Sequence, residues 1–538
     1  MEKDLFKNKG EKAFLLGNEA IVRGALESDV RFITTYPGTP TSEIGNIFYE
    51  YKDKFDYYFE FSTNEKVAME SSAGASLCGL RSLVAMKNFG LNVASDFLYP
   101  LVYTGVKGGM VIVVGDDPSC HSSAQSEDNT RFNILKAHIP ALEPSNPQEC
   151  KDFTKLAFEI SEKFSIPVII RGTTRVLHQS GIVILDEIKK IEQKAKFEKD
   201  PLRFSTMNAV LKHKELLEKI ERIKNFVEKL KINFIKNKDK SKFGIIASGI
   251  SYQYILEILD ELNLKIPILK LGVFYPLPEK LIKNFIKNLK EVLVLEELDP
   301  ILEKEVERLA KDSNYKLKVY GKDLINEFGE IRPEDILIAL SKILNIKLDF
   351  DYKKHKEEIE KINIPKRTPS FCPNCPYHFV FSTIKRIFPN FIFGGEIGCY
   401  MLAYYPPYNM QDYLYCMGSS VGVAHGINKS SKEKVIAFVG DSSFFHAAIP
   451  EIINAVYNKS NILIIILDNM TTAMTGHQPH PGVDGIKIED VLNGIGIKNL
   501  KVVDPIDIKE FEKTLKDFSE KDGVSVIIAR HPCAFIKR

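Results

Sequence analysis

The sequence predicts an α/β protein made of three open parallel-sheet units. Short apolar strands alternate with helical patterns through most of the chain, which argues for parallel sheets covered by helices. Two Lys/Glu-rich segments interrupt that alternation and divide it into three. In the last third, strands end on glycine and oxygen-bearing side chains, the pattern of a ligand-receiving carboxyl edge. A chain of 538 residues has room for three such units.

The first unit spans 1–195. Its strands are read at FITTYPGTP, SLVAM, GMVIVVGDD and SIPVIIRGT, and its helices at AIVRGALES and NEKVAMESSAGASLCG. Residues 196–241 form a charged linker with helical spacing, whose charge run reads as a solvated face. The second unit covers 242–350, with strands at FGIIASG, PILKLGV, EVLVLEE and LKVYGK. Pro276 and Pro278 sit between a strand and a helix, where a ring-locked φ is tolerated. A short Lys/Glu linker at 351–365 leads into the third unit, 366–538. Its strands fall near FIFGGEIG, KVIAFVGD, ILIIILDN, LKVVDP and SVIIARHP.

The composition is that of an ordinary globular protein, 44% hydrophobic and 27% charged. A net charge of +2 argues against a nucleic-acid groove. The N-terminus has neither a signal core nor a transit pattern, and the longest apolar runs are too short to span a bilayer. The expected location is the cytoplasm, without membrane association. Eight cysteines in a chain this long do not make a disulfide scaffold.

The most informative stretch is VIAFVGDSSFFHAAIPEIINAVYNKSNILIIILDN. One strand ends at Gly440, Asp441 and Ser442, and a second at Asp468 and Asn469. The 26 residues between Ser442 and Asn469 hold one helix and one strand, so the two strands can be neighbours. Asp441 and Asn469 would then face the same ligand edge. A hard cation that also grips diphosphate oxygens suits such a pair, since Mg²⁺ takes one or two protein side chains plus phosphate. The Thr471 carbonyl lies just beyond. Gly440 would let the backbone approach, and a helix beginning near Ser443 would point N–H groups at an anion.

This resembles the Gly-Asp-(Gly/Ser)…Asn pattern of thiamine diphosphate enzymes. Such a site needs a carboxylate at the aminopyrimidine N1′, so that the cofactor can act as a carbanion stabiliser. Glu65, at the end of a short strand and the start of a small-residue helix, is the candidate; dipole compensation is the competing reading. Longer segments carry a more specific resemblance. TTYPGTPTSEI, the stretch around NEKVAMESSAGASLCG, and VGDDPSCHSSAQSEDNTR are similar to the N-terminal region of the indolepyruvate:ferredoxin oxidoreductase α-subunit family. GEIGCYMLAYYPPYNMQDYLYCMGSSVGVAHGI and LDNMTTAMTGHQPHPG are similar to its C-terminal region.

The resemblance implies a pyrimidine-binding, a transketolase C-terminal-like and a diphosphate-binding domain. It implies thiamine diphosphate and Mg²⁺ as cofactors and decarboxylation of an aryl 2-oxoacid such as indolepyruvate. Coenzyme A would take the acyl group, and electrons would pass to ferredoxin. It implies a smaller β subunit and a dimer or heterotetramer. Glu65 would face N1′, and Thr39 would line the substrate pocket. Asp441, Asn469 and Thr471 would hold Mg²⁺. Gly418, Ser419, Ser420, Gly440 and Ser442 would touch the cofactor. Cys375 would sit near the thiazolium, with Gln125, Asp128 and Arg131 near the pocket.

The family's usual Cys-Pro-Gly-Cys-Pro-His-Arg reads here Cys372-Pro-Asn-Cys375-Pro-Tyr377-His378. The usual C-terminal run of cluster-binding cysteines is not among these residues, and Cys533 stands alone. No iron–sulfur cluster is therefore expected on this chain, and the clusters would lie on another. Cys372, Cys375, Cys399 and Cys416 are weighed as a metal quartet against pocket or core thiols. His446, His477 and His480 cluster near the cofactor end, and His477 is taken as the catalytic candidate. His425 reads as helix packing, and His121 as a turn or pocket residue. The competing functions are a non-oxidative thiamine-dependent 2-oxoacid decarboxylase and a non-catalytic scaffold; intact Glu65, Asp441 and Asn469 argue against the scaffold.

Overall fold

The computed structural model describes residues 2–188, 190–191, 195–200, 202–237, 241–348, 350–362, 365, 367–431, 433–483 and 485–536. The chain divides into two compact units. Unit 1 holds 1–60 and 65–362; unit 2 holds 61–64 and 363–538.

Unit 1 contains two principal sheets. The first is seven-stranded, in the order Val273–Tyr275, Ala141–Leu142, Val168–Thr173, Met110–Asp116, Ser82–Lys87, Phe32–Thr35, Tyr58–Phe61. Val168–Thr173, Met110–Asp116 and Ser82–Lys87 pair in parallel and are buried over nearly their whole length, as expected of strands covered on both faces. Their carboxyl ends deliver Lys87, Asp116 and Thr173 to one edge. The outermost strand, Val273–Tyr275, arrives antiparallel from the segment expected to belong to the second unit. The five-stranded sheet runs Lys318–Tyr320, Glu291–Leu295, Phe243–Ser248, Ile268–Leu271, Phe234–Lys236, with only the last antiparallel. A two-stranded antiparallel ribbon pairs Lys12–Leu16 with Ser180–Ile184.

The charged linker contains the helix Ala209–Val227, which buries Leu216, Ile220, Ile223 and Val227 along one stripe. Its apolar spacing makes it part of the unit 1 core rather than a free spacer. A buried ion network joins the two sheets. Arg131 donates to Glu143 at 2.6 and 2.8 Å, to Glu296 at 2.6 Å and to Ser248 at 2.8 Å. Arg171 donates to Asp116 at 2.7 Å and to Glu143 at 3.0 Å. Burial opposes ionisation of Glu143, but the two guanidiniums hold its carboxyl down to about 2.

Unit 2 is built on a six-stranded, fully parallel sheet: Tyr413–Leu414, Ile392–Gly395, Val435–Gly440, Leu463–Asp468, Ser525–Arg530, Asn499–Val503. Val435–Gly440 and Leu463–Asp468 are buried throughout, which explains their unbroken apolar runs. They are direct neighbours, with Gly440 opposite Leu467. The chain turns helical immediately at Asp441, two residues earlier than expected, and passes through a π-turn at Phe444–Ala448 before the helix Ile449–Tyr457. Within this unit, Asn64 donates from Nδ2 to the His446 carbonyl at 3.2 Å. No helix among the described residues is long and apolar enough to cross a membrane.

Candidate cofactor site

In unit 2 the two neighbouring strand ends bring Asp441 and Asn469 into contact. The Asn469 backbone N–H donates to Asp441 Oδ2 at 3.1 Å, and the Ser442 N–H donates to Asp441 Oδ1 at 2.7 Å. The Asn469 side-chain amide faces Tyr377 through Nδ2, at 2.9 Å from the hydroxyl, while Oδ1 accepts the Thr471 N–H at 3.2 Å. That second bond settles which end of the amide is oxygen. Ser442 accepts a hydrogen bond from Thr472 at 3.1 Å. Asp441, Asn469 and Thr471 are all buried.

The loop 470–483 closes over this corner. His480 Nδ1 accepts the Gly482 N–H at 3.1 Å, so Nε2 carries the proton, and Nε2 stands 3.1 Å from Asp441 Oδ2. His477, by contrast, is exposed, and its backbone N–H bonds to the Thr472 carbonyl. Of the histidines in this loop, the structure places His480 rather than His477 against the acidic residue. The next acid along, Asp468, is buried and pairs with Arg530 at 2.7 Å; burial raises its pKa.

The turn at Gly418 approaches the same sheet edge. Gly418 has φ +86°, a left-handed conformation that suits glycine. Its N–H donates to Glu396. Ser419 bonds back to Cys416, and the Ser420 hydroxyl donates to the Gly394 carbonyl at 2.9 Å from a fully buried position. The Ser420 hydroxyl thus has a structural partner inside the fold. Sequence reasoning did not single out Glu396. It is fully buried, accepts from Tyr400 Oη at 2.5 Å and from the Gly440 N–H at 3.2 Å, and burial pushes its carboxyl up to about 7.

Cys375 is not set up as a nucleophile. Burial, with Cys372 and Cys533 nearby, pushes it up to about 11, far from a thiolate at neutral pH. Cys399, half-buried near Cys375, Cys533 and Cys372, is pushed up to about 12, chiefly by burial. Cys533, from beyond the last strand, comes near Cys375 and Cys399. Cys533 follows the strand beside Leu463–Asp468, and its N–H donates to the Asn469 carbonyl at 3.1 Å. Cys416 is exposed and lies in the Gly418 turn. Among the described residues no three His, Cys, Asp or Glu side chains stand drawn up as a ready metal-ligand set. The Tyr377-His378 pair is accounted for locally. Tyr377 holds Asn469, while His378 bonds Tyr408 at 2.6 Å and the Cys372 carbonyl at 3.2 Å.

In unit 1, Glu65 opens the helix Glu65–Leu77 and is buried. The helix Asn88–Thr104 packs against it at Gly90, where an added Cβ would fall 2.5 Å from Glu65 Cγ. Only a residue without a side chain leaves room for that carboxylate. Thr39 lies half-buried in the loop after Phe32–Thr35. Asp128 accepts from Asn92 at 2.7 Å, and Gln125 is exposed. Arg131 lines a small cavity with Glu143, Arg171, Ser248 and Glu297, and it is also the centre of the buried ion network between the sheets. His121 stands exposed, 3.4 Å from Glu330, and His425 packs through Ser460 at 2.5 Å, as a helix-packing residue should.

Two family models match the chain. Residues 396–529 match the C-terminal thiamine pyrophosphate-binding domain of thiamine pyrophosphate enzymes. Residues 23–233 match the thiamine diphosphate-binding domain of pyruvate flavodoxin/ferredoxin oxidoreductases. The indolepyruvate oxidoreductase subunit IorA of Methanothermobacter marburgensis is 42% identical over 98% of this chain and 87% of its own length. That of Thermococcus kodakarensis is 42% identical over 99% and 87%. The 2-oxoglutarate synthase subunit KorA of Archaeoglobus fulgidus is 28% identical over 56% of this chain and 92% of its own. A solved structure of 2-oxoglutarate:ferredoxin oxidoreductase from Magnetococcus marinus shares the fold, with a TM-score of 0.50 and 17% identity over 62% of this chain and 65% of that one. Near-full-length identity of 42%, across both matched domains, makes this chain a member of the indolepyruvate oxidoreductase IorA subunit family.

Proposed function

We propose that the chain is the catalytic subunit of a thiamine diphosphate- and Mg²⁺-dependent oxidoreductase that decarboxylates an aryl 2-oxoacid such as indolepyruvate. Coenzyme A takes the acyl group, and ferredoxin takes the electrons. A smaller β subunit completes the enzyme as a dimer or heterotetramer. The observation that carries this reading is the contact between Asp441 and Asn469 at the carboxyl ends of adjacent parallel strands.

The donor set there fits a hard cation: a carboxylate, an amide oxygen and the Thr471 carbonyl. Asp441, Asn469 Oδ1 and Thr471 would hold Mg²⁺ beside the diphosphate. Tyr377 and the Thr471 N–H keep Asn469 Oδ1 turned the right way, the Ser442 and Asn469 N–H groups hold Asp441, and His480 packs beside it. Glu65 would hold the proton at the aminopyrimidine N1′. When bound, thiamine diphosphate supplies the electron sink for decarboxylation. The test is anaerobic turnover of indolepyruvate and phenylpyruvate with both cofactors, with and without coenzyme A, an electron acceptor and the second subunit. Acceptor-dependent acyl-CoA supports the reading. Aldehyde release that ignores acceptor and partner makes the chain a decarboxylase instead.

A further inference from the structure

Resting on the thiamine reading above, we propose that Glu396 is a positioning residue: its carboxylate ties together the two glycine turns, at Gly418 and Gly440, that would receive the cofactor. Glu396 Oε2 accepts the Gly418 N–H, and Oε1 accepts the Gly440 N–H at 3.2 Å. Tyr400 Oη lies 2.5 Å from the same Oε1, and it also accepts the Gly440 N–H at 2.9 Å. Ser443, in the helical turn after Gly440, is 3.3 Å from Tyr400 Oη. One side chain and its phenol therefore join the strand end at Gly440, the helical turn behind it and the turn at Gly418, 22 residues away in sequence.

Glu396 is 0% exposed, and no lysine or arginine pairs with it among the described residues. A buried acid answered only by hydrogen-bond donors is costly to keep. Its burial-raised pKa agrees with that cost. The arrangement does what a hydrophobic residue could not. Both glycine amides are turned inward onto a common acceptor, which sets the path of both turns before any ligand arrives. Pre-setting them lowers the ordering cost of binding.

Replacement by glutamine keeps the shape but not the pattern. The amide offers one acceptor oxygen. Whichever way it is turned, its NH₂ faces the N–H of either Gly418 or Gly440. The test is calorimetric titration of thiamine diphosphate with Mg²⁺ into the full-length chain and into Glu396→Gln. The expected result is a Kd raised by about tenfold, the worth of one charge-assisted hydrogen bond. Turnover at saturating cofactor should stay within about twofold, because the effect lies in positioning and not in chemistry. An unchanged Kd in a folded Glu396→Gln overturns the role, as does lost turnover at saturating cofactor. Should that variant not fold, Tyr400→Phe is titrated in its place. It removes only the bridging hydroxyl and should raise Kd about threefold, and an unchanged Kd again overturns the role. If the wild-type chain binds no thiamine diphosphate, the functional reading itself falls and takes this role with it.

Discussion

His480 Nε2 stands 3.1 Å from Asp441 Oδ2, with its other ring nitrogen held by the Gly482 N–H. The ring is thereby held beside one carboxylate oxygen of Asp441, although Nε2 closes no hydrogen bond to it. Removing such a neighbour costs about 10–100-fold in metal affinity at comparable sites. His480→Ala should therefore raise the Mg²⁺ concentration needed for half-maximal thiamine diphosphate binding by about tenfold or more. His477→Ala, at an exposed position, should change it less than about twofold. Cofactor titration at varied Mg²⁺ compares the two; equal effects would show that the contact with Asp441 is incidental.

Glu65 and Gly90 should behave as one unit. Glu65→Gln should lower turnover by about 10²–10⁴-fold, the range for a lost proton-transfer group, while cofactor affinity changes little. Gly90→Ala places a methyl 2.5 Å from Glu65 Cγ. It should displace the carboxylate, giving a partial version of the same defect with about 1–3 kcal/mol of overpacking destabilisation. Steady-state kinetics together with denaturant unfolding separate the two effects.

Arg131 should matter for stability and not for cofactor binding. Replacing it with methionine leaves Glu143 and Glu296 buried with one guanidinium fewer. Breaking a buried ion pair in this way costs about 3–5 kcal/mol. The urea midpoint should fall accordingly, and cofactor Kd in the folded fraction should stay as in wild type. Glu143 also sets a pH signature. Its folded pKa, about 2, lies below its ordinary value, so its contribution is present above about pH 4.5 and is lost as pH falls toward 2. The stability gap between wild type and variant should narrow over that window.

Glu396 gives the opposite sign. Its folded pKa of about 7 lies above the unfolded value, so the folded state holds the proton more tightly. Relative to Glu396→Gln, which does not titrate there, wild type should lose stability as pH rises from about 4.5 to 7. The total is about 3 kcal/mol, and the gap should be flat above that range. Paired denaturation curves at pH 5 and pH 8 measure it.

Much of this architecture was legible. Buried parallel strands announce themselves as unbroken apolar runs, and all such runs in the last third are strands of one sheet. Asp441 and Asn469 could be matched because strand ends are punctuated by Gly-Asp and Asp-Asn. The ribbon of Lys12–Leu16 with Ser180–Ile184 was not legible, because its partners lie far apart and neither carries a turn signal that links them. His480 and His477 could not be ranked by sequence, since loop hydrogen bonds decide which ring turns inward. Cys533 carries a readable signal: it follows an apolar strand, and so falls at the same carboxyl edge as Asn469. Arg131 read as a pocket residue and does line a cavity, but that its fork of donors is matched to two glutamates following strands of different sheets could not be read from the motif.

The strand Val273–Tyr275 closes the first sheet of unit 1 although the chain has by then already begun the second. Its partner, Ala141–Leu142, is only two residues long and relies on that neighbour to cover its outer edge. A truncation after residue 241 would therefore leave an uncapped apolar edge, open to pairing with other chains. It would also strand Arg131 without Glu296 and Ser248. The two halves of unit 1 are thus not interchangeable cassettes. They should melt in a single calorimetric transition, and fragments made by cutting between them should aggregate unless both are supplied together.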